Sequence, residues 1–563
     1  MFRLIAAALA ASALHAAPAI FPLKDVRAGQ HGVGRTVFSG WRVEEFQVEI
    51  LGVLENIGPR ESIILARLKG GPLETMGVMQ GMSGSPVYIE GRLIGAVALG
   101  FPLAKEAICG IRPIEEMLRV DPDPKTKSGI ASVRHPIMAG NARLEEIATP
   151  VSFSGFTAAT LEHFGAQLRN LGLDPRQGIS GGGNPQNALG DPKQLEPGSM
   201  ISVQLLSGDM SMGADGTVTY IDGNRIYAFG HRFLDAGPTE LPFARSEVIA
   251  LLPNLSASFK ISTAREWMGT ITQDGNNAVA GMLGRRAGTV PLEIRVGANV
   301  YRMNMIQDRV MTPLVTQMAV FSAIDATERG LGASTFSVRG HIDFDGGSTR
   351  VDNVYSGDIS VAALAAQGVA SPLGFALGSG FDALKLKDMA IEISPVDRHS
   401  QLQIAQVVAP RQVRPGQDAE LVVTLAGDNG FETQKKVTYH VPVGAPPGPL
   451  YFTAGDATVT NLVEFQSAIG APLHSPGQVL ELLNSLRTNT KAYVRVWRND
   501  ASFTVDGRDL PNPPPSLALI LTHEQAGPAG LMNLRGSKVA EIEIPADGNV
   551  VTGSKTVQVE VKE

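Results

Sequence analysis

The chain has a single cysteine, Cys109, in 563 residues, so no intrachain disulfide can form and its stability must come from packed cores. It also lacks an excess of positive charge. Lys and Arg total 48 against 55 Asp and Glu, a net charge of -7, which leaves no electrostatic footprint for nucleic acid or for an anionic membrane. Beyond the N-terminus no apolar run reads as a transmembrane segment, and no repeat recurs at a fixed period. The ten histidines, among them His31, His135, His163, His341, His399 and His440, form no i, i+4 pairs with nearby carboxylates. That argues against a metallohydrolase, and no metal or cofactor is expected. Cys109 lies in the apolar stretch Ala107 to Ile111 and reads as a buried structural thiol.

What is present is a hydrophobic content of 44%, enough for three or four domains with their own cores. The 62 glycines and 36 prolines, with strand-like alternation between them, favour a β-rich chain with many turns and few, short helices. Met1-Phe2-Arg3 followed by the apolar Leu4 to Leu14 reads as a secretory signal, with small residues at Ala16, Ala17 and Ala19 offering cleavage points. An exported protein, periplasmic, extracellular or of the cell envelope, without a stable membrane span after signal removal, is the expectation. Composition and turn signals divide the chain into a signal at 1–19, a β-rich unit at 20–125, an insertion or linker at 126–196 and a second β-rich unit at 197–292. A mixed α/β region at 293–397, a small β-sandwich at 398–448 and a C-terminal α/β region at 449–563 follow. Helical patterns are expected at 158–171, 312–329 and 478–486.

Residues 81–86, Gly-Met-Ser-Gly-Ser-Pro, form the kind of glycine-flanked turn that displays a nucleophilic serine in trypsin-like peptidases, which makes Ser83 the first candidate for chemistry. The amides of Gly81 and Ser83 could converge on a developing oxyanion only where no Cβ blocks the carbonyl, and Gly84 lets the chain turn away afterwards. The turn leads into a hairpin at Gly91. An ordinary structural hairpin turn is the competing explanation. In the second β-rich unit, Asp222-Gly223 marks a hairpin, and Gly230-His231 follows a strand over 226–229 directly, so that the imidazole would stand at a strand end. His31, in Gln30-His31-Gly32, is the other possible base, and its glycine-flanked setting reads as a turn. Glu44-Glu45 and Glu115-Glu116 read as solvated faces, and Arg232-Phe233 as residues shaping a cleft.

Two blocks together resemble the SpoIVB family of bacterial serine peptidases. One is Val48 to Asn56, Gln80 to Tyr88, Gly91 to Val97 and Gly110-Ile111, and the other is Gly216 to Ile221 with Ala228 to His231. The resemblance implies a nucleophile at Ser83 and a general base at His231. It also implies a mainly β fold with α+β portions, in which a trypsin-like double β-barrel precedes the mixed α/β region and the sandwich. Two departures stand out. The family's histidine half precedes its serine half, whereas Ser83 here precedes His231; a site assembled between two barrels depends on geometry and tolerates that order. The family's acid, some fifteen residues before its serine, falls at Leu68-Lys69-Gly70, where there is no carboxylate. Asp235 and Asp274 are the candidate acids. No peptide-binding module is evident ahead of the serine half.

The implied reaction is acyl transfer on a protein or peptide substrate, with His231 taking the Ser83 proton and the Gly81 and Ser83 amides holding the oxyanion. The alternative is a non-catalytic envelope protein that keeps the peptidase-like halves as a binding scaffold.

Overall fold

The computed structural model describes residues 19–123, 137–139, 142–178, 186–327, 334–357, 360–396, 401–427, 430–470, 473–500, 502–505, 508–511, 513–523, 529–532 and 537–563. The expected signal and the glycine run 181–183 lie outside them. The chain divides into two compact units, Met1–Gly288 and Thr289–Glu563.

The first unit is built from two closed antiparallel barrels. Strands β1 (His31–Ser39), β2 (Arg42–Gly58), β3 (Glu61–Lys69), β4 (Pro86–Ile89), β5 (Arg92–Gly100) and β6 (Ile108–Pro113) pair in the order β4-β1-β2-β3-β6-β5, and β4 pairs β5 to close the ring. Two short helices, α1 (Leu73–Met76) and α2 (Ile114–Met117), flank the last strands. Strand β2 shows why these residues form a barrel wall: Phe46, Val48 and Ile50 alternate inward at 1 to 2% exposure. Strand β5 is buried along its whole middle because it serves two cores. Ile94 and Val97 fill their own barrel, while Leu93 and Ala96 pack with Tyr220, Tyr227 and Ala280 of the second one.

Between the barrels run β7 (Ile137–Ala139), β8 (Ala142–Glu146), β9 (Thr149–Ser154), α3 (Ala158–Asn170), β10 (Leu173–Gln177) and β11 (Gln186–Leu189). Helix α3 matches the pattern expected at 158–171 and is capped by the Thr157 hydroxyl, which accepts from the Thr160 amide. The segment is more than a spacer. β8 extends the first barrel's sheet beside β5, and β9 and β10 extend the second barrel's sheet beside β13.

The second barrel comprises β12 (Met200–Gly208), β13 (Ser211–Asp222), β14 (Arg225–Ala228), β15 (Gly237–Leu252), β16 (Phe259–Gly275) and β17 (Ala278–Leu283), in the order β13-β14-β17-β16-β15-β12 with β12 pairing β13. Two six-membered antiparallel rings are thus present, one carrying Ser83 just before β4 and the other His231 just after β14. The structure is the mainly β, double-barrel architecture with α+β portions that the resemblance implies.

The second unit opens with β18 (Val290–Val296), β19 (Asn299–Met305), β20 (Ser334–Phe344), β21 (Gly347–Gly357) and β22 (Leu386–Pro395), in the order β19-β18-β22-β20-β21, with helices α4 (Met311–Thr327) and α5 (Val361–Gly378). α4 matches the helix expected over 312–329. The longer α5 is not signalled in the sequence, because its Ala- and Gly-rich run has no polar face to give a helical period and contains Pro372. By length and composition alone it could cross a membrane, and its Ala365, Ala366, Val369 and Leu373 are buried. A β-sandwich follows. Its core joins strands 401–408, 418–427 and 432–440 to strands 448–455, 491–498, 537–545 and 554–561, so the chain's last stretch completes it. Sequence spacing separates these segments at 448, whereas their shared apolar faces make one core.

Candidate active site

Ser83 sits in a turn whose backbone bends through two left-handed glycines, Gly81 (φ 90°) and Gly84 (φ 94°). A Cβ on Gly84 would lie 2.0 Å from the Thr217 carbonyl oxygen and 2.5 Å from the Phe229 nitrogen, so only glycine lets the serine turn rest on the second barrel. Three hydrogen bonds fasten it there. The Thr217 amide donates to the Ser83 carbonyl (2.9 Å), the Thr217 hydroxyl to the Gly81 carbonyl (2.8 Å) and the Thr219 hydroxyl to the Gly84 carbonyl (2.7 Å).

Within the turn the amides divide into two classes. Met82 donates to Met79, Gly84 to Val97 and Ser85 to Met82. Those of Gly81 and Ser83 donate to no acceptor among the described residues. These are the two amides that the glycine-flanked pattern of the turn nominates as oxyanion donors. Ser83 is fully buried and its Oγ has no hydrogen-bond partner among the described residues.

His231 follows two residues with positive φ, Phe229 (70°) and Gly230 (71°). For a buried phenylalanine that conformation is strained, and the strain is sustained by packing against Phe233 and His231. A Cβ on Gly230 would stand 3.1 Å from Ala98 Cβ, so the histidine loop lies on β5 next to where the serine turn holds Val97. The loops that carry the two candidate residues therefore meet at β5, with no hydrogen bond from Ser83 Oγ to the imidazole among the described residues. The imidazole Nδ1 is 2.6 Å from the Arg232 carbonyl oxygen. A carbonyl can only accept, so Nδ1 carries a proton, and in the neutral ring Nε2 then holds the lone pair.

The two candidate acids both bind the loop that carries His231. Asp274, at the end of β16, accepts from the amides of Phe233 (2.7 Å), Leu234 (2.6 Å) and Ala236 (3.1 Å), and so clamps the chain that follows His231. Burial pushes its carboxyl up to about 6, against the three amides that favour the anion. Asp235, another left-handed residue, pairs with Arg232 at 3.3 Å. Arg232 also reaches Glu146 of β8 at 3.5 Å.

A third charged group lies behind the serine turn, and the sequence reading missed it. Lys260 is buried. Its stem packs under Gly81, its amide donates to the Gln80 carbonyl and its Nζ donates to Thr36 Oγ1 at 2.7 Å. Thr36 in turn accepts from Ser85 Oγ. Burial pulls the ammonium down to about 7, opposed by the negative charge of Asp215. Asp215 is pushed up to about 6 by its own burial. Nothing in the Phe259-Lys260-Ile261 strand pattern distinguishes this lysine from a surface one.

His31 is not in a turn but opens β1, at an exposed position paired with Glu49. Glu115 is exposed and Glu44 and Glu45 are partly or fully so, but Glu116 is buried rather than solvated. It accepts from the Ser62 amide at 2.8 Å and pairs with the buried Arg112 at 3.3 Å, because α2 turns that face into the first barrel. Cys109 is buried in the first barrel's core, and burial pushes its thiol far above the ordinary range. Among the described residues one group of metal-ligand type, His341, Asp343 and Asp388 on β20 and β22, brings its atoms within 4.8 Å of one another, and it is partly exposed.

The first unit is thus a double antiparallel barrel in which a glycine-bent serine turn rests on the barrel that carries the histidine. Residues 6–118 match the family model for SpoIVB peptidase S55, so the stretch that contains the first barrel and Ser83 is similar to that family. No curated protein and no solved structure matches the chain.

Proposed function

We propose that this protein is an exported serine endopeptidase of the SpoIVB type, acting on protein substrates. Ser83 Oγ attacks the peptide carbonyl while His231 Nε2 takes its proton, the Gly81 and Ser83 amides receive the oxyanion, and the leaving amine is protonated by the imidazolium before water releases the acyl group. The observation that carries this reading is the pair of free turn amides flanking a buried serine hydroxyl. The Arg232 carbonyl orients the imidazole, and Asp274 acts as a positioning residue by fixing the loop. Asp235 balances Arg232 in the same loop.

Fluorophosphonate labelling followed by peptide mass spectrometry tests the assignment. Modification at Ser83, lost in both Ser83→Ala and His231→Ala, is the expected result, with turnover falling on the order of 10⁴-fold or more. Label that persists in Ser83→Ala refutes the nucleophile. A second reading, a non-catalytic scaffold, is favoured by the complete burial of Ser83 and by its unbonded Oγ. Absence of labelling even when the site is opened would support it.

A further inference from the structure

Strand β4 begins only at Pro86, because the residues before it are spent in the serine turn. Beyond Val97, therefore, β5 has no β4 partner on that side. The turn uses Val97 at both its groups: the Gly84 amide donates to the Val97 carbonyl (2.8 Å) and the Val97 amide to the Ser85 carbonyl (2.9 Å). The next residues, Ala98 to Gly100, form an edge that leads directly away from Ser83. That edge is occupied by the chain itself. β8 lies along it antiparallel, with Glu146 opposite Leu99 and Glu145 opposite Gly100, and the Ile147 amide donates to the Ala98 carbonyl at 3.0 Å. Antiparallel pairing fixes the direction, so the chain leaving Ile147 for Ala148 heads toward the serine turn.

Side chains hold this segment in place. Ile147, 8% exposed, belongs to the core of the first barrel with Leu68, Leu73 and Ala107, and Leu144 is buried with Ile63, Ala98 and Leu99. Glu146 pairs with Arg232, the residue after His231. A cavity of about 810 Å³ opens beside Ile147, and Leu68, Leu73, Val78, Phe101 and Gln80, the residue before Gly81, are among the residues that line it. Strand addition to such an edge is a general way for a protein to hold an extended peptide. Main-chain bonds give affinity and a side-chain pocket gives selectivity.

We infer that Ala98–Gly100 is the substrate-docking edge of the Ser83 site and that Glu145-Glu146-Ile147 is a tethered occupant of it. The substrate class is an extended peptide with an aliphatic residue where Ile147 now sits, and the occupant keeps Ser83 covered until it is displaced. This rests on the reading of Ser83 as nucleophile. The test therefore separates docking from catalysis.

Docking is measured in full-length Ser83→Ala, with and without Ile147→Asp, by the fluorescence anisotropy of a labelled peptide of residues 143–150, Arg-Leu-Glu-Glu-Ile-Ala-Thr-Pro. The displaced variant should bind it at least tenfold tighter than Ser83→Ala alone, and the same peptide with Asp in place of Ile should lose that binding. Ile147→Gly removes the apolar anchor more gently and replaces the aspartate variant if the latter does not fold. Equal binding by the two proteins, or equal binding of the two peptides, overturns the docking edge. In chains that retain Ser83, either change at Ile147 should raise the fluorophosphonate labelling rate at least tenfold. An unchanged rate with Ser83 labelled overturns the tethered occupant. Peptide binding without any labelling would instead sink the nucleophile and leave the edge standing.

Discussion

Gly84→Ala offers a direct measure of how firmly the serine turn depends on the second barrel. The added methyl would meet the Thr217 oxygen at 2.0 Å and the Phe229 nitrogen at 2.5 Å, so the turn must retreat by about 1 Å, an estimate that follows from the density of protein interiors. Retreat breaks the three bonds from Thr217 and Thr219. At roughly 0.5–1.5 kcal/mol each, their loss costs about 1.5–4.5 kcal/mol. The left-handed φ of 94° adds roughly 1–2 kcal/mol for any residue with a Cβ. The expected destabilisation is therefore about 3–6 kcal/mol, a large share of a domain's usual margin. Gly91→Ala is the matched control, since Gly91 also has a left-handed φ, 73°, but its Cβ would meet nothing within 4 Å. It should lose only the backbone part, roughly 1–2 kcal/mol. Urea unfolding followed by tryptophan fluorescence compares the two, and labelling of Ser83 should vanish in Gly84→Ala while surviving in Gly91→Ala. If the two variants unfold within about 1 kcal/mol of each other, the steric argument for the docked turn is wrong.

Three further outcomes follow from the buried charges. Asp274 titrates near 6 when folded against an ordinary 3.8, so its contribution is fully present below 3.8 and is lost as pH rises through 6. The stability of wild type relative to Asp274→Asn should fall by up to roughly 3 kcal/mol between pH 4 and 7, and a flat difference would contradict the assignment. Lys260 behaves in the opposite sense. Its folded value near 7 lies below 10.5, so its contribution is present above 10.5 and is lost as pH falls through 7. Wild type should gain on Lys260→Met as pH climbs from 7 toward 10.5, and chemical denaturation at several pH values checks the sign. Arg112→Met should cost about 3–5 kcal/mol by stranding the Glu116 carboxylate, and Arg112→Met with Glu116→Gln should recover most of it. No recovery in the double variant would mean that packing, and not charge, sets the cost.

The candidate nucleophile and base were legible because their signals are local. A glycine-bent turn around Ser83 and a Gly-His step after a strand are written in consecutive residues, and so are the hairpins at Gly91 and Gly223 and the amphipathic helix α3. One contact of the imidazole was not legible. It is the carbonyl of Arg232, a group every residue possesses, so no spacing of acids could point to it. The roles of Asp274 and Lys260 were hidden for a related reason, since Asp274 binds amides of the loop before β15 and Lys260 a hydroxyl on β1 of the first barrel, both far off in the chain. Glu116 looked solvated because Glu115-Glu116 reads as a charged pair, and only the orientation of α2 sends one inward and the other out.

Alternation of apolar side chains and the placing of glycine, properties of neighbouring residues, determined that this would be a strand-rich protein with a serine on a tight turn and a histidine at a strand end. The closing of six strands into each ring, the seating of one ring's turn on the other's β13, and the filling of the edge at Ala98 by β8 were decided by tertiary structure alone. Each of these joins groups far apart in the chain, and a hydrogen bond across 130 or more positions leaves no mark on the local pattern at either end.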